Sequence, residues 1–407
     1  MSTGKSNAYF NGVKADVKAE ILQISGFTEG RLPFKYLGVP IKTTRLNTED
    51  CKPLIEKIVS KIRGLGARKL SYAERLILIK AVLKTYHNYW ATMFILPSGV
   101  IARIEQICRN FFWDGGADYI RTTLVSWDKL CKPKLEGGLG LKIDIDWNKA
   151  AVGKLVWWIS TKPDHLWVKW VNHIYLKGRT WRDYVPITDS SWYWRKISQV
   201  KQLLEGTYQQ LIWSDQTGCT YSISKGYEYL RNKNSEVNWA KLVWNTWSIP
   251  KHSIVSWIYY HNNLTTNDKM HQLGVSSTDT CCICESTTET LEHLFFMCEY
   301  SRKVVWKVGT EVKVDLPISD VRNWRLSRGG TATRSNFTNA LINACIYHIW
   351  RQRNSGKYES KVLRPKKLAE KIVDEVKWKV RGTPKVKIDT GDRRWLEWIR
   401  GNQRDQI

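Results

Sequence analysis

The sequence is 407 residues long and 43% hydrophobic, enough for two or three domains with real cores and too apolar for a disordered chain. It carries 64 Lys and Arg against 38 Asp and Glu, a net charge of +26 and an isoelectric point near 9.6, which points to a polyanionic partner, nucleic acid before a membrane surface. No run of about 18 apolar residues offers a membrane-spanning helix, and polar residues rather than an apolar leader follow Met1, so an intracellular protein of nucleus or cytoplasm is expected.

The first forty-odd residues are short apolar pieces broken by Gly and Pro. Residues 10–13 and 34–40 suit strand or turn, with a short helix between them over about 17–24. From Thr48 the period becomes helical, with Leu54, Ile55, Ile58 and Ile62 on one face and Lys57, Lys61 and Arg63 elsewhere. Ser71 with Glu74 forms a capping box, which opens a helix carrying Leu76, Ile79, Leu83, Tyr86 and Trp90 as far as Pro97. Ser98 caps a third helix with Ile101, Ile104, Cys108 and Phe112 three or four apart. The outer faces of this bundle are expected to display base: Arg68, Lys69, Arg75, Lys80, Lys84, Arg103 and Arg109.

Residues 113–116 and 136–140 are glycine turns. The second does not match G-x-x-x-x-G-K-[ST], so positive-φ turns explain it better than a phosphate cradle. A helix is expected over about 147–160, then a Trp-rich stretch to about 212 with no firm period. The chain holds 22 Trp, and clusters such as Trp157 with Trp158 or Trp192 with Trp194 sit among aliphatic residues, which marks most of them as packing residues and a minority as base-stacking platforms. Tyr221, Ser222 and Ile223 read as a strand, Ser224 as the cap of a helix through Leu230, and 250–260 as another helix. Residues 342–351 and 366–380 read as helices before a basic tail of Arg393, Arg394, Arg400 and Arg404 with Trp395 and Trp398.

The most specific pattern is C-x2-C-x8-H-x4-C, formed by Cys281, Cys284, His293 and Cys298. Zinc favours four tetrahedral thiolate or imidazole ligands, and a C-x-x-C pair supplies two of them from one tight turn. Cys282 is the spare of the triplet, while Cys51, Cys108, Cys131, Cys219 and Cys345 stand singly as core thiols. Thr290 is the expected N-cap that places His293 in a first helical turn. On an ideal helix Cys298 would lie about 140° off the His293 face, so the helix must distort or end there. With four protein ligands no position is left for water, so the zinc is read as structural, one ion, and no catalytic residue is assigned. No Lys or Arg lies between Lys269 and Arg302, whereas Asp279, Glu285, Glu289, Glu292 and Glu299 do. A finger that grips phosphate would want cations there, so phosphate contact is assigned to the basic helices instead.

Several separated segments together resemble one family, the C-terminal part of the reverse transcriptase of plant LINE-type non-LTR retrotransposons. They are 32–40 (LPFKYLGVP), 69–73 with Arg75 and Leu76, 104–113, 136–140 (EGGLG), Trp147 with Asn148 and Ala150 with Ala151, then 221–227 and the four zinc-type ligands, all in the family's order. The last group is similar to the reverse-transcriptase zinc-binding domain. The resemblance implies a primer-grip-like hairpin at 34–39 and a thumb-like helical unit at 48–113. Reverse transcriptases of this class hold two metal ions on a Tyr-x-Asp-Asp motif, and this sequence contains no Asp-Asp pair. It also shows no endonuclease or RNase H carboxylate set, so an enzyme is not expected. Asn263 before Leu264 stands where the family usually carries Arg.

The fold expected is mainly α with short β elements: a helical thumb-like bundle followed by a small zinc-stabilised α+β module and a helical tail. The expected division is 1–47 as palm end with hairpin, 48–150 as thumb-like region, 151–212 as Trp-rich connection, 213–306 as zinc-binding domain and 307–407 as basic helical tail. Lys35, Lys57, Lys61, Arg68, Lys69, Arg75, Lys80 and Lys84 are the expected contacts to template and primer, whether RNA, RNA-DNA hybrid or single-stranded DNA. No membrane and no small-molecule substrate are expected. The alternative is a transposon-derived adapter whose zinc module docks a protein through its acidic skin and Leu291, Leu294, Phe295 and Phe296.

Overall fold

The computed structural model describes residues 6–10, 12–42, 44–66, 69–118, 123–207, 221–316, 332–383 and 392–400, and these are mainly helical. Strand β1 (Asn7–Ala8) pairs in parallel with β2 (Thr28–Glu29) across helix α1 (Ala15–Ser25), which Gly26 ends at φ 65°. Strands β3 (Phe34–Tyr36) and β4 (Val39–Ile41) form an antiparallel hairpin with Phe34 opposite Ile41. Its two turn residues, Leu37 and Gly38, both have positive φ, 49° and 83°, the conformation in which a two-residue turn matches the strand twist.

Helix α2 (Lys52–Gly64) buries Leu54, Ile58 and Ile62 at four-residue spacing. The capping box is formed: Ser71 N donates to Glu74 Oε2 at 2.7 Å and Glu74 N to Ser71 Oγ at 3.4 Å, opening α3 (Tyr72–Leu78). The run expected to stay regular up to Pro97 passes through a π-helical turn, Ile79–Leu83, before α4 (Lys84–Met93). Then come α5 (Ser98–Asp114), α6 (Trp127–Cys131), α7 (Asp144–Thr161), α8 (Leu166–Val171) and α9 (Trp192–Leu204). The strand expected at 221–223 is absent: Ser222 instead caps α10 (Ile223–Leu230), accepting from Lys225 N. Helices α11 (Ala240–Val243), α12 (Pro250–Tyr260), α13 (Asn267–Gln272), α14 (Glu299–Val312), α15 (Ala332–Glu359), α16 (Pro365–Arg381) and α17 (Arg393–Arg400) complete the order.

The chain divides into two compact units. The first comprises Met1–Gly66, Ile79–Cys108 and Ile143–Asn232, and the second Ala67–Leu78, Arg109–Lys142 and Lys233–Ile407. In the first, α7 packs on α4, α9 and α10. Its small residues explain the closeness: a Cβ on Gly153 would lie 2.5 Å from the Tyr221 hydroxyl, which donates to Ala150 O at 2.6 Å. The Trp-rich stretch fills the core beside it, where Trp157, Trp181 and Trp194 are buried with Val156, Ile197 and Leu204. Trp194 Nε1 donates to the Tyr184 hydroxyl at 3.1 Å and its ring stacks on Tyr175, so these aromatics are packed on one another rather than displayed for bases. Asn148 closes the end of α4, donating to Ala91 O and Phe94 O while accepting from Leu96 N, which satisfies carbonyls that a helix end leaves open.

Deeper in this unit, Lys84 pairs with Asp144, both almost fully buried, beside the buried His87. Burial holds His87 below its ordinary value near 6.5, against the pull of Asp144 and with a push from Lys84. The unfolded chain therefore takes up a proton that the folded unit refuses. Stability of the first unit is expected to fall as the pH drops below about 6.5, and urea midpoints at about pH 7 and pH 5 check it. In His87→Gln the difference between the two midpoints should shrink.

In the second unit α12 and α16 both pack on α15, and α14 packs on α16. The glycine-rich turn is structural here. Gly137 and Gly140 have φ of 84° and 68°, and a Cβ on Gly138 would lie 1.9 Å from Lys132 O. Trp257 Nε1 donates to Gly137 O at 2.8 Å, and a ring nitrogen of His261 meets the same oxygen at 2.9 Å. No helix among the described residues is long and apolar enough to cross a membrane.

Candidate metal centre

The centre is built on a loop and a distorted helix start. An antiparallel bridge between Thr280 and Thr288 closes the loop, Cys281 N donates to Thr287 O and Glu285 N to Cys281 O, both at 2.8 Å. Glu285 takes a positive φ of 55° to complete the knuckle. Downstream, His293 N donates to Thr290 Oγ1 at 3.0 Å, the cap expected from the sequence. The helix does distort: His293–Met297 is a π-helical turn, and Cys298 N donates to His293 O at 2.7 Å. That five-residue bond sets Cys298 over His293, which a regular α-helix would not do.

The ligand atoms of Cys281, Cys284, His293 and Cys298 lie within 4.8 Å of one another. Cys284 Sγ is 3.3 Å from His293 Nε2, close to the separation of about 3.5 Å that tetrahedral zinc imposes with bonds of about 2.0–2.3 Å. Cys281 and Cys298 are fully buried. The Cys281 thiol donates to Cys298 sulfur, which raises Cys281 and, with amides of Ser301 and Tyr300, lowers Cys298. Amides of Ile283 and Cys284 are likewise aimed at Cys281. Backbone N–H groups on the sulfurs disperse thiolate charge, so donor set, spacing and surroundings all fit zinc. Bound there, the ion would tie the loop to the start of α14, with no open position for a reacting water.

Cys282, the spare, faces away, with its Sγ 3.4 Å from Arg353 O and 3.5 Å from Glu289 Oε2, and burial pushes its thiol up to about 12. Glu289 is not part of an acidic skin. It is fully buried and accepts from Arg353 Nη2 at 2.7 Å and Nε at 2.8 Å, from Asn267 N at 2.9 Å, while Arg353 Nη2 also donates to Asn267 Oδ1. This network locks the metal loop to α15. Sequence reasoning missed Arg353 because it lies 64 residues from its partner. Glu285, Glu292 and Glu299 do face solvent, but Leu291, Leu294, Phe295 and Phe296 are buried in the unit's own core and offer no docking face.

The expected nucleic-acid contacts divide in the structure. Lys35, Lys57, Lys61, Lys69 and Lys80 are exposed. Lys57 and Lys61 line an open cleft with Tyr86, and Lys57 Nζ stands 4.8 Å from the Tyr86 ring centroid. Arg75 and Lys84, expected on the outer surface, are buried: Arg75 Nη1 donates to the carbonyls of Phe112 and Trp113, and Lys84 is held by Asp144. Charge is normally displayed outside, yet each of these two satisfies buried oxygen instead. Arg68 and, in the tail, Arg404 lie outside the described residues.

Comparison with known proteins agrees with the geometry. Residues 221–306 match the family described as zinc-binding in reverse transcriptase, a span that holds all four ligands. The chain is 32% identical over 162 residues to a putative ribonuclease H protein of Arabidopsis thaliana, a match covering 39% of this chain and 26% of that protein. It is 27% identical over 118 residues to an uncharacterised mitochondrial protein of Arabidopsis thaliana, covering 28% of this chain and 76% of the relative. The matched segment is thus reverse-transcriptase related, and the chain spans about a quarter of the first relative's length.

Proposed function

We propose that this chain is a nucleic-acid-binding, zinc-containing part of a plant LINE-type reverse transcriptase that carries no chemistry of its own and holds template RNA and primer DNA by electrostatic contact. The observation that carries the reading is a reverse-transcriptase zinc-binding segment within a chain of net charge +26. The zinc serves as scaffold, because exposed Glu285, Glu292 and Glu299 around it repel phosphate. Binding falls to the exposed lysines, first Lys57 and Lys61, whose cleft sets two ammonium groups beside an aromatic ring, the combination that follows a phosphate backbone and stacks a base. Lys35, Lys69 and Lys80 add to the positive field. Nucleus or cytoplasm is the compartment that fits such a partner.

Filter binding with RNA and with an RNA-DNA hybrid tests this. Affinity should fall steeply with salt, and Lys57→Ala with Lys61→Ala should lower the slope of log K against log salt by about 1.5, since each phosphate left without its lysine removes some 0.7–0.9. No binding at low ionic strength, or binding indifferent to salt, would contradict the proposal.

A further inference from the structure

A second group of ligand-type side chains gathers in the second unit, away from the four sulfur and imidazole ligands. His252 comes from α12, His348 from α15 and Glu375 from α16, three helices that pack on one another around α15. Both imidazoles are buried, at 0% and 1% exposure, whereas the Glu375 side chain keeps 26%. The Nε2 atoms of the two rings each lie 3.2 Å from the same oxygen, Glu375 Oε2, and one donor atom from each residue falls within 4.8 Å of the others.

Hydrogen bonding alone does not account for this arrangement. His348 Nε2 bonds the Glu375 carboxylate, but the approach of His252 is outside hydrogen-bonding geometry, so both of its ring nitrogens are buried without a hydrogen-bonding partner. Two ring nitrogens and a carboxylate oxygen aimed at a common point, about 3.2 Å apart where measured, match the spacing around an ion with bonds of about 2.0–2.2 Å. Two imidazoles with one carboxylate is a donor set that suits zinc and its transition-metal neighbours. The carboxylate edge opens on a cleft of about 620 Å³ lined by Pro250, Lys251, Lys377 and Trp378, so a fourth position there faces water.

We propose that His252, His348 and Glu375 form a second, three-ligand site for a zinc-type divalent cation, with its fourth position open to this cleft. Lys251 is the competitor built into the site: its Nζ lies 3.6 Å from Glu375 Oε2 on a side chain 36% exposed, and it must swing into the cleft when the ion enters. The cation therefore replaces one ammonium charge on Glu375 and gives His252 the partner it otherwise lacks.

Equilibrium dialysis of the zinc-loaded full chain against cobalt(II) tests the site. The wild-type chain should take up about one equivalent of cobalt without the intense thiolate-to-cobalt absorption that the cysteine site would give. His348→Ala and, as the variant least disturbing to packing, Glu375→Gln should weaken that uptake by more than the roughly 10- to 100-fold cost of losing an outer-shell partner. Lys251→Ala should bind at least as tightly as the wild type. Absence of the sulfur-free equivalent in the wild type, or its retention in Glu375→Gln with unchanged affinity, would overturn the proposal.

Discussion

His293→Ala, or removal of the metal by a chelator, is expected to unfold residues 279–298 while leaving the helices behind them in place. A structural zinc site is rarely preformed in the unfolded chain, so the energy of metal binding is largely folding energy, about 10–16 kcal/mol in zinc-finger peptides, comparable with the entire stability of an ordinary domain. The loop has little else to hold it: one isolated bridge, the turn at Cys281 and the buried Glu289. By contrast α14 and α16 bury Val304, Val308, Leu368, Ile372 and Val376, a core that persists without the ion. Hydrogen exchange should show the amides of Cys281, Glu285 and Cys298 losing protection in the variant and those of α16 keeping it. His293→Cys, which leaves four thiolates, should restore the wild-type pattern. Unchanged protection across the loop in His293→Ala would show that the metal does not fold it.

Arg353→Ala should cost about 3–5 kcal/mol, because it strands the Glu289 carboxylate in a place where water does not reach. Glu289 and Arg353 are both about fully buried, and the guanidinium spans Glu289 Oε1 and Asn267 Oδ1 at once. Lys at this position would keep a charge but not the planar fork, so Arg353→Lys should recover only part of the loss. Replacing both partners, Arg353→Met with Glu289→Met, should cost less than Arg353→Ala alone, since no charge is left unpaired. Urea denaturation of the four proteins measures these differences. Equal stability of Arg353→Ala and wild type would mean that the pair does not lock the loop to α15.

Local signals make most of the fold legible. The capping box of Ser71 and Glu74, the face of Leu54, Ile58 and Ile62, the hairpin at Leu37 and Gly38 and the cap at Thr290 depend on residues a few positions apart, and each stands where its spacing predicts. The ligand spacing even announces the break in helix geometry that the π-helical turn supplies. What stays illegible depends on distant chain segments. Lys84 finds Asp144 at 60 residues and Arg353 finds Glu289 at 64, so cations with the pattern of surface charge are buried. Tyr221, Ser222 and Ile223 have strand-like composition, yet Ser222 caps a helix and Tyr221 is pinned to Ala150, a contact 71 residues away. His252, His348 and Glu375 carry no shared motif, and only the packing of three helices brings them together.

Metal content measured on the purified full chain and two variants tests the central claim most directly. Cys281→Ser and His293→Ala should each contain about one equivalent of zinc less than the wild type, because three thiolates and one imidazole hold a single structural ion. Zinc content unchanged in both variants would contradict the assignment of Cys281, Cys284, His293 and Cys298 as its ligands.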